Sequence, residues 1–315
     1  MTIKTHSTQR IDPRHLRAVH AIVEHGSFNR AASALGLSQP ALSKSVVLLE
    51  HALGVRLFDR DRRGARLTDA GRIIARCAQN SDEILRQACD EISGMADGLT
   101  GPLRIGATPS LLLGLLPQAI ASLSAKHASV RISLIEGYDA SLQSALHSGE
   151  IEMLVGQVES LVPISRDFVE RRLLLDDFLV ALPHGHALYG QEKVCLQEIA
   201  EDAWVLPTVG SSFFDRLQSL FSASGTPWPR NFIATNSVNL QERFVEQTGR
   251  TCIVTATQLL GRNPAFHLAR LDGAPPRAIG ARYRRNLVLS PMASDFLECL
   301  ADAARLLRKH SPLMA

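Results

Sequence analysis

At 315 residues with 45% hydrophobic side chains, the chain is long enough for two or three domains with sizeable cores. Its longest apolar runs, such as residues 111–116, fall far short of the roughly 20 residues of a membrane span. The opening MTIKTHSTQR lacks the apolar core of a signal peptide, so a cytoplasmic protein with no membrane partner is expected. Five cysteines (Cys77, Cys89, Cys195, Cys252, Cys299) make an odd count with no CxxC and no Cys/His cluster. That argues against a disulfide framework or a metal site and for reduced thiols. The net charge of +3 is unevenly spread: residues 1–72 hold twelve Lys/Arg and six Asp/Glu, a net of +6, whereas residues 73–315 hold 22 and 25, a net of −3. Arg56, Arg60, Arg62, Arg63 and Arg66 fall within eleven residues, opposed there by Asp59 and Asp61. The basic N-terminal end is therefore a candidate nucleic-acid surface.

Three short helices open the chain. Asp12-Pro13 is an N-cap followed by proline at the first helical position, leading into apolar Leu16, Val19, Ala21, Ile22 and Val23 and stopping at Gly26. Ser27 caps a second helix that Gly36 ends, and Ser38 caps a third with Pro40 in its first turn and Leu42, Val46, Leu49 and Leu53 as its buried stripe. Two helices joined by a glycine-centred turn form a helix-turn-helix, whose second helix enters the DNA major groove with its N-terminal part. Small residues there allow close approach. Gln39 offers a donor and an acceptor to an adenine edge, Pro40 and Ala41 meet a thymine methyl, Ser43 bonds a base or phosphate, and Lys44 reaches a phosphate or guanine. Ser27, Arg30 and Ser38, at the two helix starts, complete the candidate contacts of this motif.

After the third helix, LGVRLFDRDRRGARLTDAG contains two short extended pieces around Arg62-Arg63-Gly64, the pattern of a β-hairpin wing. The wing places Arg60, Arg63 and Arg66 over the backbone or minor groove. The run GSFNRAASALGLSQPALSKSVVLLEHALGVRLFDRDRRGARLTDAG resembles the N-terminal winged helix-turn-helix of the LysR-type transcriptional regulators nearly position by position, and the chain's length and organisation are similar to theirs. From Thr68 to about Ser93 a long helix is expected, with Ile74, Cys77, Ser81, Ile84, Ala88 and Ile92 spaced almost as a coiled-coil seam. Gly94, Gly98 and Gly101 follow as a hinge. In the family this helix pairs with that of a second copy, which implies a homodimer and leaves a homotetramer open; Cys77 and Cys89 are then packing residues.

The remainder alternates strand and helix, the pattern of a parallel α/β sheet. Strands are expected at 103–107, 130–136 and 151–155, with helices at 110–126 and 139–148. A second unit runs from strand 178–182 through helix 212–224, strand NFIAT, helix 237–247 and strand TCIVT. The chain then returns to the first unit near 283–289 and ends in a helix over about 294–309. The division expected is a DNA-binding domain at 1–67, a linker helix at 68–93, a hinge at 94–101 and an effector-binding module at 102–315. Its subdomain I comprises about 102–176 and 277–315, and subdomain II about 177–276. Resemblance to the family implies that this α/β module is similar to periplasmic binding proteins, with a cleft between two sheets.

Effector contacts are expected where strands end and helices begin, since unpaired N–H groups there attract anions. ATPS carries Thr108 and Ser110, and TVGSS carries Thr208, Ser211 and Ser212 at the matching place in the second half. Gln157 and Asn236 are further candidates. The effector these imply is a small anion, an aromatic or other organic carboxylate. In TGRTCIVTA the sequence departs from the family, with Thr251 and Ala256 where many members have a glycine-rich turn and then proline, and no binding residue is carried over to that segment. His184 and His186 of ALPHGHAL read as structural. No GxSxG, P-loop, strand-linked GxGxxG or metal-ligand cluster is present, so neither an enzyme nor a cofactor is expected. The family implies double-stranded operator DNA, a second copy and an effector as partners, with RNA polymerase as a further one. The competing reading is a cytosolic small-molecule-binding protein that does not read DNA, which salt-sensitive retention on heparin with competition by DNA separates from a regulator.

Overall fold

The computed structural model describes residues 11–61, 64–96, 102–159, 165, 167–260, 264–285 and 289–310. The chain forms two compact units, Met1–Ser93 and Gly94–Ala315.

In the first unit local chemistry sets each element. Helix α1 (Pro13–His25) begins where the Arg14 N–H donates to the Asp12 carboxylate at 2.9 Å and ends at Gly26 in the left-handed conformation. The Arg14 side chain and N–H hold that carboxyl at about 2, well below its ordinary value. Helix α2 (Phe28–Ala34) is capped by the Ser27 hydroxyl, and α3 (Gln39–Leu53) by that of Ser38, which accepts the Ala41 N–H at 3.3 Å. Val19, Ile22, Ala31, Leu42, Val46 and Leu49 close a core between the three helices, extended by Leu57 and Phe58. The wing is an antiparallel hairpin of β1 (Phe58–Asp61) and β2 (Gly64–Leu67). Its root is fixed to α3, because the N–H groups of Leu57 and Phe58 donate to Glu50 Oε1 at 2.7 and 3.2 Å.

Helix α4 (Asp69–Ala96) continues past the expected Ser93 end. The Thr68 hydroxyl starts it, donating to the Arg56 carbonyl at 2.8 Å and accepting the Gly71 N–H at 2.9 Å. Ile73, Ile84, Leu85 and Ile92 are exposed along α4. Residues 97–101 of the expected hinge lie outside the described residues.

The second unit contains two sheets. The first is built from β3 (Leu103–Ala107), β4 (Ile132–Glu136), β5 (Met153–Gln157), β6 (Phe168–Asp176) and β13 (Arg277–Arg284), in the order β4-β3-β5-β13-β6. Helices α5 (Pro109–Leu113), α6 (Leu115–Lys126), α7 (Asp139–Ser148) and the C-terminal α10 (Pro291–His310) accompany it, with α6 and α10 packed through Leu115, Ala119, Phe296 and Leu300. The second sheet uses β7 (Phe178–Leu182), β8 (Lys193–Val194), β9 (Trp204–Leu206), β10 (Phe232–Ala234), β11 (Thr251–Thr255) and β12 (His267–Leu271), in the order β10-β9-β11-β7-β12-β8. Helices α8 (Ser212–Ala223) and α9 (Val238–Thr248) belong to it, and Trp204, Leu217 and Phe221 lie in its core.

Two expectations are corrected. The sheets are mixed rather than parallel: β3 runs parallel to β4 and β5, but β13 is antiparallel to β5 and β6, and β7 is antiparallel to β11 and β12. The cause is the double crossing, because the chain leaves the first sheet along β6 and returns along β13, so the two strands meet in opposite directions. The single helix expected over 110–126 is broken at Gly114, where a Cβ would overlap the Thr257 carbonyl.

Gly71 supplies a test of the first unit. A Cβ there would overlap the Leu57 carbonyl, which accepts the Thr68 N–H. Gly71→Ala is expected to destabilise this unit by about 1–3 kcal/mol, seen as faster amide exchange in α1 and α3. Unchanged exchange would contradict the close contact between α4 and the wing root.

Candidate functional site

Two surfaces carry the expected chemistry, one in each unit. On α3 the stripe Leu42, Val46 and Leu49 is buried, which turns the other side outward. Ser38, Gln39, Pro40, Ala41 and Lys44 are exposed and Ser43 is half-buried. Gln39 Nε2 donates to Ser43 Oγ at 3.1 Å, so one helical turn presents a pre-oriented amide and hydroxyl. Ser27 is occupied as the cap of α2 and also accepts from Arg30 Nε at 3.3 Å, with Arg30 exposed beside it. In the wing, Arg60 lies on β1 opposite Ala65, and exposed Arg66 lies on β2 opposite Asp59. Arg62 and Arg63 lie outside the described residues.

The second surface is a cleft of about 480 Å³, open to solvent, between the two sheets of the second unit. Thr108, Ser110, Ser211, Ser212 and Asn236, chosen from widely separated stretches of sequence, all line it. Gln157 and Thr208 do not. Gln157 ends β5 opposite Ile279, and Thr208 stands behind the wall, its N–H donating to Asn236 Oδ1 at 2.9 Å while Asn236 Nδ2 donates to its hydroxyl. Ser211 is committed as well: its hydroxyl accepts the Phe214 N–H as the cap of α8 and donates to the Thr208 carbonyl. These side chains shape the wall by spending their polar groups on it.

The sequence reading missed the floor of the cleft. Arg277, only 7% exposed, is the first residue of β13 and faces Asp176, the fully buried last residue of β6. Arg277 Nε and Nη2 donate to Asp176 Oδ2 at 2.9 and 2.7 Å, and Nη2 also reaches Ser110 Oγ at 2.9 Å and Thr255 Oγ1 at 3.2 Å. Asp176 accepts two further bonds, from the Thr257 N–H at 2.8 Å and its hydroxyl at 2.6 Å. Tyr138 was missed too. Its hydroxyl donates to the Asn236 carbonyl at 2.5 Å, joining the first half to the second, and burial together with the Glu136 charge raises its pKa, so it stays protonated.

With those bonds accounted for, several donors in the cleft are left unspent. Arg277 Nη1 donates to no protein atom among the described residues, and Thr108 Oγ1 is buried with no partner. Ser110 Oγ accepts from Arg277, which leaves its own proton to donate. The start of α8 adds its positive end. Pro109, Pro207, Phe213 and Val238 make the remaining wall apolar. Such an arrangement takes a small ligand with an acceptor-rich end and an apolar body.

The cysteines and histidines take other places. Cys252 is fully buried, and burial first, then the Glu242 charge, pushes its thiol far above the usual range, which suppresses the reactive thiolate. His186 Nδ1 accepts the Leu188 N–H at 3.1 Å, its Nε2 lies 3.0 Å from Asp202 Oδ2, and His184 stacks on Tyr189. Neither histidine lines the cleft.

Comparison with known proteins bears on both surfaces. The model described as "Bacterial regulatory helix-turn-helix protein, lysR family" matches residues 13–72, and that described as "LysR substrate binding domain" matches residues 96–305. The chain is 30% identical over 298 residues to the RuBisCO operon transcriptional regulator of Allochromatium vinosum, covering 93% of this chain and 97% of that protein. Its fold is similar to that of a full-length OxyR variant from Pseudomonas aeruginosa, with a TM-score of 0.63 at 21% identity over 94% of this chain and 95% of that one. A full-length CbnR solved in complex with its target DNA gives a TM-score of 0.62 at 21% identity, over 93% and 99% of the two chains.

Proposed function

The chain belongs to the LysR family of bacterial DNA-binding transcriptional regulators, and from that premise we propose that it reads an operator with α3 and the wing and alters its hold on that operator when a small organic carboxylate occupies the cleft. The observation that carries the DNA reading is the exposed first turn of α3, made of small residues around one pre-oriented amide and followed by Lys44, on a stretch of net charge +6. A groove-facing helix needs that shape and that charge. Gln39 and Ser43 read bases, with Ser38, Pro40, Ala41 and Lys44 beside them. Ser27, Arg30, Arg60, Arg63 and Arg66 hold the phosphate backbone.

The unspent donors favour an anion in the cleft, with Thr108, Ser110 and Ser212 as direct contacts. Ser211, Thr208 and Asn236 support them. The cleft binds rather than catalyses. Regulation is a population shift, in which the effector binds one arrangement of the effector-binding region, residues 102–315, better than another. Residues 1–67 act as the DNA-binding domain, and the helix over 68–93 pairs with that of a second copy through its exposed apolar side chains. Such a protein works in the cytoplasm, and no described helix is long and apolar enough to cross a membrane.

Two expected outcomes test this function. Gln39→Ala should lose about 1–3 kcal/mol of discrimination between operator and random DNA, measured by competition binding, with non-specific affinity nearly unchanged; equal losses on both DNAs would reject base reading by Gln39. Ile84→Asp places a charge in the proposed seam and should shift the chain to monomer in sedimentation velocity, whereas an unaltered assembly would show that Ile84 is not in the interface.

A further inference from the structure

The buried pair of Arg277, which lines the cleft, and Asp176 behind it bears on which effector fits. We propose that Arg277 is the residue that reads the effector's charge and that Asp176 restricts the effector to a single negative charge, an inference that rests on the cleft being the effector site. Arg277 is the one side chain among the cleft-lining residues described that is charged at neutral pH. Its guanidinium is not a free cation, since Nε and Nη2 are spent on Asp176, Ser110 and Thr255. Nη1 alone is left for a ligand, and the cleft lining also holds the unpartnered buried hydroxyl of Thr108. A carboxylate at Nη1 gains a charge-assisted bond that a neutral amide cannot match.

The same geometry penalises a second charge. Arg277 is already neutralised by Asp176, so one incoming carboxylate makes the floor net negative. A second would add to the charge of Asp176, which lies directly behind Arg277. Like charges in a partly desolvated cleft repel strongly. With the Phe213 ring 5.8 Å from the guanidinium carbon and Pro109 and Pro207 in the wall, the ligand class is a monocarboxylate with a compact apolar body.

The test is thermal unfolding of the full chain with acetate and benzoate as monoanions, malonate and phthalate as dianions, and acetamide and benzamide as neutral probes. At least one monoanion should stabilise the protein at a concentration about tenfold below that needed by its dianion or amide. Asp176→Asn should narrow the gap between monoanion and dianion. Asp176→Asn/Arg277→Gln, which removes both charges together and so leaves no buried charge unpaired, should fold and lose the monoanion response. If the amides or dianions stabilise the wild type as well as the monoanions do, or if the double variant still responds, the charge-reading role of the pair is overturned while the cleft remains a ligand site. If no probe stabilises the wild type, the reading of the cleft as a carboxylate site fails, and this inference fails with it.

Discussion

One buried ion pair governs the geometry of the effector-binding unit. Arg277 and Asp176 sit opposite each other on the only two strands that carry the chain between the sheets among the described residues, β13 and β6. Burying two charges costs several kcal/mol for each, and the attraction between them offsets this only when their remaining hydrogen-bonding capacity is met. Here Thr257 satisfies Asp176 twice from the second half, Thr255 accepts from Arg277 in the same half, and Ser110 accepts from it in the first. The pair therefore fixes the junction, and Arg277 at the same time lines the cleft. Gly114 belongs to the same junction: the break between α5 and α6 lets the Thr257 backbone approach, and Thr257 in turn holds Asp176.

That dual position gives occupancy of the cleft a physical route to both halves of the second unit. A ligand that contacts Arg277 contacts a residue bonded to both halves, so its binding energy depends on how the halves are set. Allosteric couplings are commonly about 1–3 kcal/mol, which a single charge-assisted bond can supply. Tyr138 adds a second tie between the halves through Asn236, and both residues line the cleft. The relatives that the chain resembles are transcriptional regulators.

How much was legible in the sequence follows from the range of each interaction. In the first unit Asp12, Ser27 and Ser38 cap helices within three residues of themselves, and Gly26 and Gly54 end them in the left-handed conformation, so local reading sufficed. Helix α4 was legible by its spacing, though not its last turn. Strand β6 was invisible because Glu170, Arg171 and Arg172 interrupt its apolar pattern; Glu170 is accommodated by Arg282, 112 residues away, with Nε at 2.9 Å. Arg277 lies 101 residues from Asp176 and 167 from Ser110, and nothing in APPRAIG marks it as the floor of a cleft. Thr255 and Gln258 fall in or beside TGRTCIVTA, where the family pattern gave no guide. Hydroxyls at helix starts did point to the cleft, but their spacing could not show that Ser211 is spent on a cap while Thr108 is left unpaired. Only the partners of a polar group distinguish those two states.

The central claim, that Arg277 and Asp176 act as one unit pinning the halves together, is tested most directly by a double-mutant cycle. Both tryptophans, Trp204 and Trp228, lie in the second unit, so urea unfolding followed by their fluorescence reports on that unit within the full chain. Asp176→Asn and Arg277→Gln should each cost about 3–5 kcal/mol by leaving a buried charge unpaired, and the double variant should cost far less than their sum, a coupling of about 2 kcal/mol or more. Additive losses would contradict the account, because the two charges would then contribute to the junction independently.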